Sequence, residues 1–201
     1  MDTTIGTSQT SIVFVQNNIA SAQNYYFTRF VSDPLSGISS ITAQTWTYNF
    51  AATESSANAN FPVSSISNVR ITAYVWRPST QTKLGNILDG TSTAAQISEG
   101  TAGAQRSHNA TFTGSAVASV ADGDVICFEV WFTITQSGTA GPYTDTFYYD
   151  GTTVTTSENT TVSDHASFLE TPQTLTFAAA GGPVDCTVTG KTIYNKTTRH
   201  G

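Results

Sequence analysis

The stretch Val125-Ile126-Cys127-Phe128-Glu129-Val130-Trp131-Phe132-Thr133-Ile134-Thr135 decides the fold. Ile126, Phe128, Val130, Phe132 and Ile134 recur at every second position, and a strict period of two over this length belongs to a strand and excludes a helix. Phe128 and Phe132 are therefore expected on the buried side of a central strand. Val125, Cys127, Glu129, Trp131 and Thr133 form a second, more amphipathic face, with Glu129 expected to pair with Arg70 or Arg77. Ala121-Asp122-Gly123-Asp124 marks the strand's start, because Gly123 can adopt a positive φ in a turn.

The same alternation recurs over Asn68–Arg77, where Val69, Ile71, Ala73 and Val75 oppose Arg70, Thr72, Tyr74 and Trp76. Pro78, which cannot donate to a ladder, ends it. Further strands are expected at Tyr25–Ser32, Ile41–Ala51, His108–Ala118, Tyr143–Asp150, Phe168–Glu170 and Thr174–Phe177, each bounded by Ser, Gly, Asn, Asp or Pro. Only Thr53–Asn60 and Thr91–Ser98 have room for a short helix. About eight short strands predict an all-β, two-layer antiparallel β-sandwich with a jelly-roll-like topology.

Composition agrees. The 201 residues include 36 Thr and 22 Ser, only 11% are charged, and the apolar residues lie in short alternating runs, as half-buried pleated surfaces require. A net charge of −6 opposes phosphate binding, so nucleic acid is not expected as a partner. The first residues lack a basic segment followed by a long apolar stretch, and no run approaches a membrane helix, so neither an export signal nor a membrane partner is expected.

Residues 24–177 are expected to form the sandwich. Residues 1–23 hold one apolar patch, Ile12-Val13-Phe14-Val15, and are expected to be an arm or an extra strand. Residues 178–201 open with Ala178-Ala179-Ala180-Gly181-Gly182-Pro183, which reads as a linker leading to a C-terminal arm or strand. Attachment to a neighbour would then rest on Ile12, Phe14, Val184 and Val188, and removal of either end would leave a folding domain.

No catalytic set is apparent. Gly-x-Ser-x-Gly is absent, and Asp164-His165 reads as a solvated loop whose adjacent side chains diverge. Glu129 has no second carboxylate to form a glycosidase pair. The scattered loop acids form no calcium loop, and Cys127 and Cys186 cannot by themselves bind a metal, so neither metal nor cofactor is expected. Trp46, Tyr74, Trp76 and Trp131 are the candidates for an aromatic surface that could stack sugar rings; the same pattern also fits core or interface residues.

Several segments together resemble a jelly-roll family of virion structural proteins from tailed bacteriophages. The resemblance lies in Tyr26-Phe27-Thr28-Arg29-Phe30-Val31-Ser32-Asp33-Pro34-Leu35, Glu54–Phe61, Arg70–Trp76, Gly123–Val130, Thr146–Gly151 and Phe168-Leu169-Glu170, and covers roughly residues 25 to 171. It implies a non-enzymatic capsid decoration, or cement, protein on the phage head exterior, assembled in the host cytoplasm. Its implied partners are the major capsid protein and further copies of itself, in a trimer. A tail or fibre protein binding a host glycan, or a bacterial carbohydrate-binding module, is the alternative expectation.

Overall fold

The computed structural model describes residues 9–16, 23–54, 68–96, 104–134, 143–158, 160–178, 185–187 and 191–194. Among them are fourteen strands and no helix: β1 (Thr10–Gln16), β2 (Gln23–Val31), β3 (Ser40–Ile41), β4 (Thr45–Glu54), β5 (Asn68–Arg77), β6 (Thr82–Gln96) and β7 (Arg106–Thr113) in the first half. The second half adds β8 (Val117–Ala118), β9 (Val125–Ile134), β10 (Tyr143–Tyr149), β11 (Phe168–Thr171), β12 (Thr176–Ala178), β13 (Asp185–Thr187) and β14 (Lys191–Tyr194).

Eight of these strands make the two main layers. One sheet runs β2-β9-β5-β6; the other runs β1-β10-β4, with β7 on the far side of β4. All these pairings are antiparallel. The chain crosses between sheets after β1, β2, β4, β6, β7 and β9, which is the strand order of a jelly roll. β11 follows β10 along the same edge of β4 and carries β14 outside it.

Both sheets bury one face in a shared core. Tyr48 packs on Phe50 and Phe128, each with ring centroids 4.8 Å away, and Phe30 and Phe147 complete the ring cluster. Trp46, Ile71, Val75, Leu88, Ile126 and Val130 fill the rest. The inward phase of β9 at Ile126, Phe128 and Val130 is the one its alternation predicts, and the side chains of Phe132, Thr133 and Ile134 lie outside the described residues.

Two stretches depart from the expected secondary structure. Thr91–Gln96, expected to have room for a helix, belongs to the fifteen-residue strand β6, because pairing with β5 overrides local preference. Thr53 and Glu54 likewise end β4, while residues 55–60 lie outside the described residues. Thr10–Gln16, within the stretch expected as an arm or an extra strand, pairs with Tyr143–Tyr149 along its whole length, and Ile12 packs against the core.

Gly123 and Gly151 sit in turns whose backbone favours glycine. Gly123 sits at φ +91 before β9, as expected, with Arg77 fastening Asp124 behind it through two 2.8 Å hydrogen bonds. Those bonds from Arg77 hold the Asp124 carboxyl below its ordinary range. Gly151 sits at φ +142, and a Cβ there would collide with the backbone carbonyl of His165.

Candidate functional site

The face of the β2-β9-β5-β6 sheet turned away from the core gathers most of the chemistry. Its grid follows from register. Trp131 lies between Tyr26 and Arg70, Glu129 between Arg29 and Thr72, and Cys127 between Val31 and Tyr74. Val125 follows beside Trp76, which is opposite Lys83. Tyr26 meets Trp131 edge to face, with centroids 5.2 Å apart.

This second face of β9 is closed almost as tightly as the first, with Cys127 4% and Glu129 8% exposed. The amphipathic alternation by itself implies a wetter surface. Arg29 and the rings of Tyr74 and Trp76 close over it instead, and Tyr74, Val125, Cys127 and Trp76 form a second small apolar cluster. Burial pushes both the Cys127 thiol and the Tyr74 phenol above their ordinary pKa values.

The partner of Glu129 also differs from expectation. Neither Arg70 nor Arg77 reaches it: Arg70 stands opposite Trp131, and Arg77 is occupied by Asp124. Arg29 donates from Nε at 2.9 Å and from Nη2 at 2.6 Å to Glu129 Oε1, and the Tyr74 hydroxyl donates to the same oxygen at 3.1 Å. Glu129 Oε2 makes no hydrogen bond among the described residues. Beside this network is a concavity of about 400 Å³, walled by Val31, Trp76, Pro78, Val125 and Cys127, with Arg29 and Tyr74 at its polar side.

Three of the four candidate aromatics thus meet on one face: Tyr74, Trp76 and Trp131. Trp46 does not. It is fully buried in the core, so it cannot serve a surface, and its indole packs against Gly114 so closely that a Cβ at that glycine would overlap it. Among the attachment candidates, Ile12 faces the core, whereas its neighbours Val13 and Val15 are 58% and 53% exposed. Of Phe14 only the backbone is described, and Val184 and Val188 lie outside the described residues.

Tyr26, Arg29, Val31 and Pro78 are the site residues that sequence reasoning missed. A β-bulge between Tyr26 and Thr28 explains part of this. Tyr26 and Arg29 are three positions apart, which strict alternation assigns to opposite faces; the extra residue brings both to the outer face.

The histidines sit elsewhere. His165, expected in a solvated loop, is fully buried, because Thr152 and Thr153 donate backbone hydrogen bonds to Asp164 O and Ala166 donates to Thr153 O, drawing the loop against the body. Burial holds its pKa below the ordinary histidine value, and neither ring nitrogen has a hydrogen-bond partner among the described residues. Asp164 accepts from the backbone of Gln9 at 3.0 Å and from the Thr152 hydroxyl, while His108 Nδ1 meets Glu158 Oε1 at 3.0 Å. No described nucleophile hydrogen-bonds to either imidazole, and no three metal-ligating side chains cluster among the described residues.

No known protein family and no curated protein matches the chain. Among solved structures it is similar to infectious bursal disease virus strain Gx, at 11% identity and a TM-score of 0.35, over 77% of this chain and 35% of that one. A mutant VP2 protein of the same virus, in derived T=1 particles, gives 8% identity and a TM-score of 0.35, over 70% of this chain and 31% of that one. The chain spans about a third of the length of these proteins. The strand order described above, and not this distant similarity, defines the jelly roll.

Proposed function

We propose that this chain is a non-enzymatic structural component of a virus particle, and that it decorates the outside of a tailed-phage head. In this reading it binds the major capsid protein and is itself a trimer. The observation that carries the proposal is the character of β1. Thr10-Ser11-Ile12-Val13-Phe14-Val15-Gln16 is an edge strand with no charge and no proline, and it exposes Val13 and Val15. Free monomers guard such edges with charges, prolines or covering segments, because an unpaired ladder recruits other strands.

Among the described residues, the edges at β7, β2 and β6 are guarded. Segment 160–162 covers β7, with Ser107 N donating to Thr160 O and Val162 N donating to Gln105 O. β2 carries Arg29, and β6 carries Lys83 and Asp89. The unguarded strand therefore suits addition to a neighbour's sheet in an assembly. The tailed-phage assignment draws on the resemblance of the segments between residues 25 and 171.

Val13→Lys tests the role of this strand. The side chain is mostly exposed, so the variant is expected to keep its stability within about 0.5 kcal/mol. Mixed with undecorated heads, the native chain should co-sediment with little dependence on salt, and Val13→Lys should stay in the supernatant. Undiminished co-sedimentation of the variant would remove β1 from the attachment surface.

A further inference from the structure

We infer that the outer face of the β2-β9-β5-β6 sheet is a saccharide-binding site, taking a short neutral glycan between the Trp76 side of the concavity and the Arg29–Glu129 pair. The inference does not depend on where in a particle the chain sits. The concavity of about 400 Å³ falls within the usual range for small-ligand sites, about 300–1,000 Å³.

Its chemistry is divided as a pyranose is divided. A sugar ring has a face of C–H groups and a rim of hydroxyls. The C–H face needs an apolar floor, which the half-buried Trp76 supplies together with Val31, Pro78 and Val125. The rim needs a donor and an acceptor side by side, since each hydroxyl both donates and accepts.

The ion pair meets that need. Arg29 Nε, Arg29 Nη2 and the Tyr74 hydroxyl all converge on Glu129 Oε1. Glu129 Oε2 and Arg29 Nη1 remain without partners among the described residues, as one charged acceptor and one charged donor. Hydrogen bonds to charged groups are the stronger kind, and groups already fixed by neighbours lose little entropy on binding. The side chain of Arg29 is 47% exposed and that of Glu129 11%, so a ligand approaches the guanidinium first.

Other ligand classes fit less well. A phosphate requires unneutralised cations, but the one guanidinium lining the concavity, Arg29, is already paired with the Glu129 carboxylate, which repels an anion. A purely apolar ligand would bury Arg29 without offering it a partner, which costs more than the contact returns. Acidic glycans meet a chain of net charge −6 and the Glu129 carboxylate paired with Arg29 at the rim of the site.

The test titrates the full chain with glucose, galactose, mannose, N-acetylglucosamine and their disaccharides, followed by calorimetry, tryptophan fluorescence and saturation-transfer NMR. At least one sugar should bind saturably in the millimolar range or tighter. Trp76→Leu, which keeps apolar volume but removes the aromatic plane, and Glu129→Gln, which keeps the shape, should each weaken it by about tenfold or more. Both variants are checked by thermal unfolding, and Val13→Lys should bind as the native chain does. The inference is overturned if no sugar binds at millimolar concentrations, or if Trp76→Leu binds as tightly as the native chain. It is equally overturned if sedimentation shows copies of the chain associating through this face in a manner that Trp76→Leu abolishes.

Discussion

A chain lacking residues 1–16 is expected to lose cooperative folding. Seven residues of β1 pair in register with β10, Ile12 seals one border of the core, and Gln9 bonds to Asp164 and to the backbone of His165. Deleting them exposes the edge of β10 and opens the core beside Phe147. A domain of this kind is stable by only about 5–15 kcal/mol in total, so losing one of eight main strands consumes most of that margin. Urea unfolding followed by tryptophan fluorescence should show no sharp transition, or none above low denaturant. A truncated chain that unfolds as cooperatively as the native one, at the same midpoint, would make β1 a dispensable arm. The sequence leaves residues 1–23 as an arm or an extra strand with a domain that folds without them, and the pairing of β1 with β10 argues for the opposite result on deletion.

Phe128→Ala should destabilise the domain by about 3–5 kcal/mol, the range for deleting a fully buried ring. Phe128 has no exposure, lies in the central strand β9, and contacts Tyr48 at 4.8 Å and Phe30 at 6.3 Å between ring centroids. Both sheets line the cavity that alanine would leave, so neither can close it alone. A fall in Tm of roughly 10 °C follows at this chain length. Cys127→Ala, one residue along and on the opposite face, removes a single sulfur atom and should cost far less. Equal losses at the two positions would mean that the core does not distinguish the faces of β9.

How much of this was legible depended on whether the signal was local. β9 and β5 could be read directly, since their alternation is unbroken over the residues that face the core. β6 could not: Thr82-Lys83-Leu84-Gly85-Asn86-Ile87-Leu88-Asp89-Gly90 places few apolar residues at period two, and its pairing with β5 shifts register four times. Each irregularity breaks the pattern that would have revealed the strand. The pairing of β1 with β10 spans well over a hundred residues and leaves no trace in either segment alone.

The candidate site divides the same way. Tyr74, Trp76 and Trp131 drew notice as aromatics on strands, and the alternation of β5 and β9 put them on the outward side. Trp46 looked equivalent by composition, but β4 turns it into the core with Tyr48 and Phe50. Arg29 was invisible as the partner of Glu129 because they are a hundred positions apart and joined only by the register of β2 on β9, beyond a bulge. His165 reads as solvated because nothing in its polar surroundings announces that the loop folds inward.

The claim that this jelly roll is a structural part of the phage head is tested most directly by its abundance in purified particles. Quantitative mass spectrometry of virions should find it on the order of hundreds of copies per particle, in a fixed ratio to the major capsid protein, as a symmetric shell requires. Its absence from purified virions, or its presence in only a few copies, would contradict the account.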